Sequence, residues 1–132
     1  MNVASQDNEN YGIILPTAGA EVKIYEPLKV TFNPARYFKE SARSIDVYLI
    51  SGDKTSEPKS GHAAGEVVTE MEPNTEIVWN NIPTQAYEFY VDLTQLDAPV
   101  PGERTLLIKE RYSGFGGRDS TAFWSVSFSV TE

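Results

Sequence analysis

The sequence predicts an all-β protein, two packed antiparallel sheets forming a sandwich of about seven to nine short strands. Three observations carry this expectation. Apolar and polar residues alternate in run after run, most regularly near the C-terminus. There Trp124, Val126, Phe128 and Val130 share one parity, and Ser125, Ser127, Ser129 and Thr131 share the other. Successive strand side chains point to opposite faces, so such a run has one buried and one solvated face. Turn signals recur roughly every 8 to 14 residues, and no convincing amphipathic helix interrupts them. A barrel is the main competing architecture.

The elements follow in order. Residues 1–10 are polar and read as a flexible N-terminal tail ahead of a single domain over 11–132. Residues 11–15 form a short apolar segment stopped by Pro16. Val22 and Ile24 alternate with charged residues, and Leu28, Val30 and Phe32 alternate with Lys29 and Thr31. Asn33-Pro34 ends that strand, because proline cannot donate to a ladder. Residues 35–43 are polar, fitting one helical turn or an irregular crossover that buries Phe38 over an open end. Ile45, Val47 and Leu49 mark the next strand.

Residues 51–65 are rich in chain breakers and predict a long mobile loop. Strands follow at 67–71 and around Ile77 and Trp79, with Pro73-Asn74 as the turn between them. Tyr87, Phe89, Val91 and Leu93 form the second-strongest alternating face. Residues 98–102 make a sharp, proline-containing connection. Residues 104–111 are a strand whose centre, Leu106-Leu107-Ile108, is apolar on both faces, as expected near the middle of a sheet. The glycine-rich segment 113–120 joins it to the last strand as a hairpin. Trp124, Phe128, Phe89 and Leu49 are the expected centre of the core, and both Trp79 and Trp124 are expected to be core rather than ligand platform.

Composition narrows function by exclusion. The chain has 132 residues, 40% hydrophobic and 23% charged, with 15 aromatics that suit a pleated core. A net charge of −8 argues against nucleic-acid backbones and anionic membranes as partners. No apolar run is long enough to span a bilayer, so membrane insertion is not expected. No cysteine is present, which removes disulfides and thiolate metal sites. Residues 1–10 lack a signal peptide's basic and apolar regions, so a secreted form would be a processed one. No Asn-x-Ser/Thr sequon occurs.

The chemistry-bearing residues point away from catalysis. His62 is the only histidine and lies in the breaker-rich loop, without the serine elbow that a hydrolase triad needs. One histidine without cysteine cannot build a His-rich metal centre, and no calcium-loop run occurs. No metal or cofactor is expected. Carboxylate pairs such as Glu70 with Glu72, or Glu110 with Asp119, are available for glycoside hydrolysis, but any acidic sheet protein offers such pairs. The glycines at 114, 116 and 117 join two strands rather than opening a helix, so they are not a phosphate cradle.

That glycine-rich tip is nonetheless the best candidate site. Tyr112 and Phe115 lie beside Arg111, Arg118 and Asp119. Aromatic faces with planar charged groups hold sugars by stacking on C–H faces while bonding hydroxyls, and the same groups anchor protein contacts. The alternative is that Phe115 tucks back as a plug over the sandwich end, the glycines only permitting the turn. Tyr37 and Phe38, flanked by Arg36 and Lys39, pose the same question.

Three segments together carry a resemblance: residues 14–22 leading into Pro27-Leu28-Lys29-Val30-Thr31-Phe32, then Ile45-Asp46-Val47-Tyr48-Leu49-Ile50, then Pro101-Gly102-Glu103-Arg104-Thr105-Leu106-Leu107-Ile108. The pattern resembles small secreted fungal immunoglobulin-like domains. These include the N-terminal module of cell-wall β-glucan-assembly proteins and their Ser/Thr-rich, anchored relatives. The resemblance implies an immunoglobulin-like or fibronectin-like sandwich, an extracellular or cell-surface location, and a non-enzymatic role. The leading expectation is a binding module that takes a polysaccharide or cell-surface glycan through its end loops. The alternative is a protein–protein module, a small effector or immunomodulatory protein with a protein receptor, which self-associates as a homodimer through sheet edges.

Overall fold

The computed structural model describes residues 10–51, 65–95 and 101–132. The N-terminal tail before Asn10, His62 with nearly all of the 51–65 loop, and the start of the 98–102 connection lie outside the described residues. The described chain is all-β, with nine strands: β1 (Gly12–Leu15), β2 (Glu21–Lys23), β3 (Leu28–Asn33), β4 (Ser41–Ser51), β5 (Glu66–Met71), β6 (Thr75–Trp79), β7 (Ile82–Val91), β8 (Gly102–Ser113) and β9 (Asp119–Thr131).

They form two sheets, ordered β1-β3-β7-β6 and β2-β9-β8-β4-β5. This is the immunoglobulin arrangement: β1, β3, β7 and β6 stand as strands A, B, E and D, and β9, β8, β4 and β5 as G, F, C and C′. The first strand is split. After β1 pairs with β3, the chain crosses through residues 16–20, and β2 pairs with β9 on the other sheet. That pair runs parallel, whereas the other strand pairs among the described residues are antiparallel.

The inner faces are those the alternation marks. Leu28, Val30 and Phe32 of β3 and Tyr87 and Val91 of β7 meet Ile45, Val47 and Leu49 of β4, Leu106 and Ile108 of β8, and Phe128 and Val130 of β9. The ring of Phe32 stacks on Tyr87 at 5.8 Å and meets Trp124 edge-on at 5.2 Å. Phe128 and Leu49 are core as expected, but Phe89 and Trp124 are only partly buried and pack against its margin. Leu107, on the outward face of β8, is buried opposite Tyr48 of β4, so the centre of β8 is covered on both sides.

Two hairpins fix the registers that matter here. Asn80 and Asn81 join β6 to β7, both with positive φ, as a tight turn of the primed type requires. At the other, β8 and β9 pair from Gly102↔Val130 up to Ser113↔Asp119. The tip closes through the Gly114 amide donating to the Arg118 carbonyl, with Gly116 and Gly117 in the left-handed region at φ 80° and 78°. The hairpin predicted over 113–120 is therefore present.

Phe128 is 1% exposed in the core between the two sheets. Phe128→Ala should cost about 3–5 kcal/mol in urea unfolding, against about 1–2 for the marginal Phe89→Ala. Equal losses at the two positions would mean that the core is centred elsewhere.

Candidate functional site

One end of the sandwich gathers the β3–β4 connection (residues 34–40) and the β8–β9 tip (residues 114–118). What brings them together starts in β8. Leu106, Ile108 and Glu110 share the inward parity, so the strand's alternation carries a carboxylate into the interior, where Glu110 is fully buried. A buried carboxylate needs partners for its charge and lone pairs. Arg36 supplies a fork, its Nε donating to Oε2 at 3.0 Å and its Nη2 to Oε1 at 2.8 Å. Trp124 Nε1 donates to Oε1 at 3.0 Å.

The other side of the Arg36 guanidinium lies over the Tyr112 ring, 3.5 Å from its centroid, and Nη1 reaches Glu40 at 3.5 Å. Burial opposes the Arg36 charge, but the hydrogen bonds and charge of Glu110 outweigh it, with smaller help from Tyr112 and Glu40. The guanidinium is therefore held protonated above its ordinary value. The same burial, reinforced by the charge of Glu110, pushes the Tyr87 hydroxyl up.

Fastened by Arg36, the β3–β4 connection runs through left-handed backbone at Ala35, Phe38 and Lys39, with φ of 54°, 38° and 68°. Residues with a Cβ visit that region at a cost of about 1–3 kcal/mol each. The outcome is an aromatic ring directed outward: Phe38 is 79% exposed. The expected crossover that buries Phe38 over the sandwich end is not what forms, because the left-handed step turns the side chain away. Phe115 at the opposite tip is 73% exposed and plugs nothing. Between the two rings lies Lys39, its Nζ 4.6 Å from the Phe115 centroid and 5.4 Å from that of Phe38.

Of the five residues that the sequence nominates, Phe115 and Arg118 are exposed at the tip. Tyr112 is partly covered by Arg36. Asp119 is exposed, 3.8 Å from Arg43. Arg111 is adjacent to Tyr112 in sequence but lies on the outer face, where it binds Asp46 through Nη1 and Nη2, both at 2.8 Å, and Ser44 through Nε at 3.0 Å. Arg111, Tyr112 and Asp119 still share a depression of about 290 Å³. Arg43 completes its rim. It is the extra residue of a bulge in β4, between the pairs Ala42↔Tyr112 and Ser44↔Arg111, and it donates to Ser113 Oγ at 2.7 Å.

Sequence reasoning raised Phe38 with its neighbour Lys39 but expected Phe38 to be buried in the crossover, and it missed Arg43 as a site residue. The signal for the anchor was present: Glu110 is a lone acid at the parity of Leu106 and Ile108. The carboxylates here are committed or apart. Glu110 is enclosed by Arg36, Asp46 by Arg111, and the side chain of Asp119 is 83% exposed. Among the described residues no group of three or more His, Cys, Asp or Glu is placed to hold a metal ion. The arrangement offers stacking surfaces and planar hydrogen-bonding groups, the means of binding.

Arg36→Met should lower stability by about 3–5 kcal/mol, because Glu110 is left buried and charged without its counter-ion. Adding Glu110→Gln should recover more than half, since the neutral amide still accepts from Trp124. A loss under about 1 kcal/mol for Arg36→Met in urea unfolding would show that the pair contributes little.

A second prediction concerns acid. Arg111 holds the Asp46 carboxyl below its ordinary value, with the Glu70 amide helping and burial working against it. Its stabilisation is complete above the unfolded value of about 3.9 and is lost as pH falls through the lower folded value. Asp46→Asn should therefore flatten the decline of stability below about pH 4, leaving the part due to Asp92, lowered by Thr94. An unchanged slope in melting temperature against pH would remove Asp46 from the acid response.

No protein-family model and no curated protein sequence matches this chain. Its function has to be argued from the residues of this end.

Proposed function

We propose that the chain is a non-catalytic binding module, acting outside the cell, that takes a carbohydrate of a cell surface or wall through its β3–β4 and β8–β9 loops. The observation that carries this is the pair of phenyl rings, Phe38 and Phe115, 79% and 73% exposed, the first on a loop fastened by a buried ion pair and the second on a hydrogen-bonded hairpin tip. Exposed rings on rigid loops add nothing to folding. They offer preorganised faces to the C–H surfaces of a sugar, with little ordering cost on binding.

Arg43 and Asp119, at the rim of the adjoining depression, offer the planar donors and acceptors that sugar hydroxyls use. The extracellular setting rests on the resemblance to secreted fungal immunoglobulin-like domains, and the immunoglobulin-like sandwich agrees with it. A protein receptor is the second reading, because exposed aromatic and arginine side chains also anchor protein contacts. Self-association through sheet edges is the weaker form of that reading. The edge strand β5 departs from regular register twice against β4 and holds Glu70 at φ 48°, features that discourage strand addition.

A glycan array that includes wall polysaccharides tests the proposal with the Phe38→Ala/Phe115→Ala variant as control. We expect a specific signal that the double variant loses while its melting temperature stays within about 2 °C, since both rings are exposed. An array without any signal, or a signal that survives both substitutions, overturns it.

A further inference from the structure

We infer that the saccharide this end selects is an acidic one, carrying carboxylate groups of the uronic type, and that Lys39 is the residue that reads the charge. The inference rests on the carbohydrate reading above and goes further by naming the ligand class. It starts from a charge contrast. The chain carries a formal net charge of −8. Around this end, however, Arg36, Lys39, Arg43, Arg111 and Arg118 stand against Glu40, Asp46, Glu70, Glu110 and Asp119, so the charge here is balanced on an otherwise acidic molecule.

The cations are not equally available. Arg36 is consumed by Glu110 and Glu40. Arg43 faces Asp119 at 3.8 Å. Lys39 forms no ion pair with a described residue, and neither does Arg118; what sets Lys39 apart is that its ammonium lies against both phenyl rings. Rings attract the ammonium through their faces but accept none of its hydrogen bonds in full, so its N–H groups remain to be used. A carboxylate on a sugar would meet Lys39 while the ring carbons lie against Phe38 or Phe115. A neutral sugar would leave the ammonium with water alone.

The backbone points the same way. Phe38 and Lys39 are consecutive residues in the left-handed region, each strained there, and the strain exposes an aromatic ring and brings an ammonium between two rings. Exposing the ring does not favour folding, and the cation–π contacts return only about 0.5–1 kcal/mol. Strained backbone of this kind is found where geometry is fixed for a ligand.

The test compares retention of the full chain on immobilised polygalacturonate, on a soluble neutral β-glucan, and on phosphatidylserine-containing vesicles, at low and high ionic strength. We expect retention on polygalacturonate that weakens with salt and falls about tenfold in Lys39→Gln, the loss of one charge-assisted hydrogen bond. Lys39→Arg should restore most of it. Neutral glucan bound as well as polygalacturonate, with Lys39→Gln unaffected, overturns this inference and leaves the carbohydrate module standing. Binding to neither glycan overturns both. Vesicle binding alone does so too, assigning this end to a lipid surface.

Discussion

The structure of the loop-bearing end depends on one interaction, the Glu110 carboxylate held by the Arg36 fork inside the sandwich. A charged group at a core position of a central strand would by itself be among the costliest features of the fold. Its partner comes from a connection, not from a neighbouring strand. The requirement to neutralise Glu110 therefore becomes a requirement that the β3–β4 loop take one path. Trp124 and Tyr112 complete the enclosure, so the pair, the core margin and the loop are coupled. An apolar residue at 110 would fill the space without saying where the loop should lie. The charge supplies conformational definition, and the exposed Phe38 ring inherits it.

Much of the architecture was legible because it rests on period-two alternation. The parity of Trp124, Val126, Phe128 and Val130 is the inward parity of β9, and Leu106-Leu107-Ile108 is doubly covered as its pattern implied. The glycine-rich hairpin was legible for the same reason, since its flanking strands announce themselves. The connections were not. Alternation has no bearing on the left-handed residues 35, 38 and 39, which exist because Arg36 must reach Glu110, a tertiary demand invisible to local pattern. The crossing of β2 to the opposite sheet is equally non-local, being decided by the Gly19, Ala20 and Ile24 contacts with β9.

The candidate site was half legible for a reason that strand geometry itself supplies. Arg111 and Tyr112 are neighbours in the chain, and neighbours in a strand face opposite ways. Both line one depression, yet their partners differ, Arg111 binding Asp46 on the outer face and Tyr112 stacking on Arg36. Phe115 sits on a turn, where parity no longer applies. Phe38 reached the surface through backbone strain, and Arg43 reached the rim through a bulge; neither device follows from residue type alone.

The split first strand has a mechanical meaning. Because β2 and β9 run parallel, tension drawn along the chain from the two ends of that pair pulls them past one another. The bonds from Gly19 to Ser127, Ser129 to Ala20 and Ile24 to Thr131 are then loaded together, as in shear, and not one after another as when a hairpin unzips. Because β1 precedes β2 and pairs with β3, tension from the N-terminal side meets the opposite sheet first, and the sheared β2–β9 pair is the second barrier along the chain.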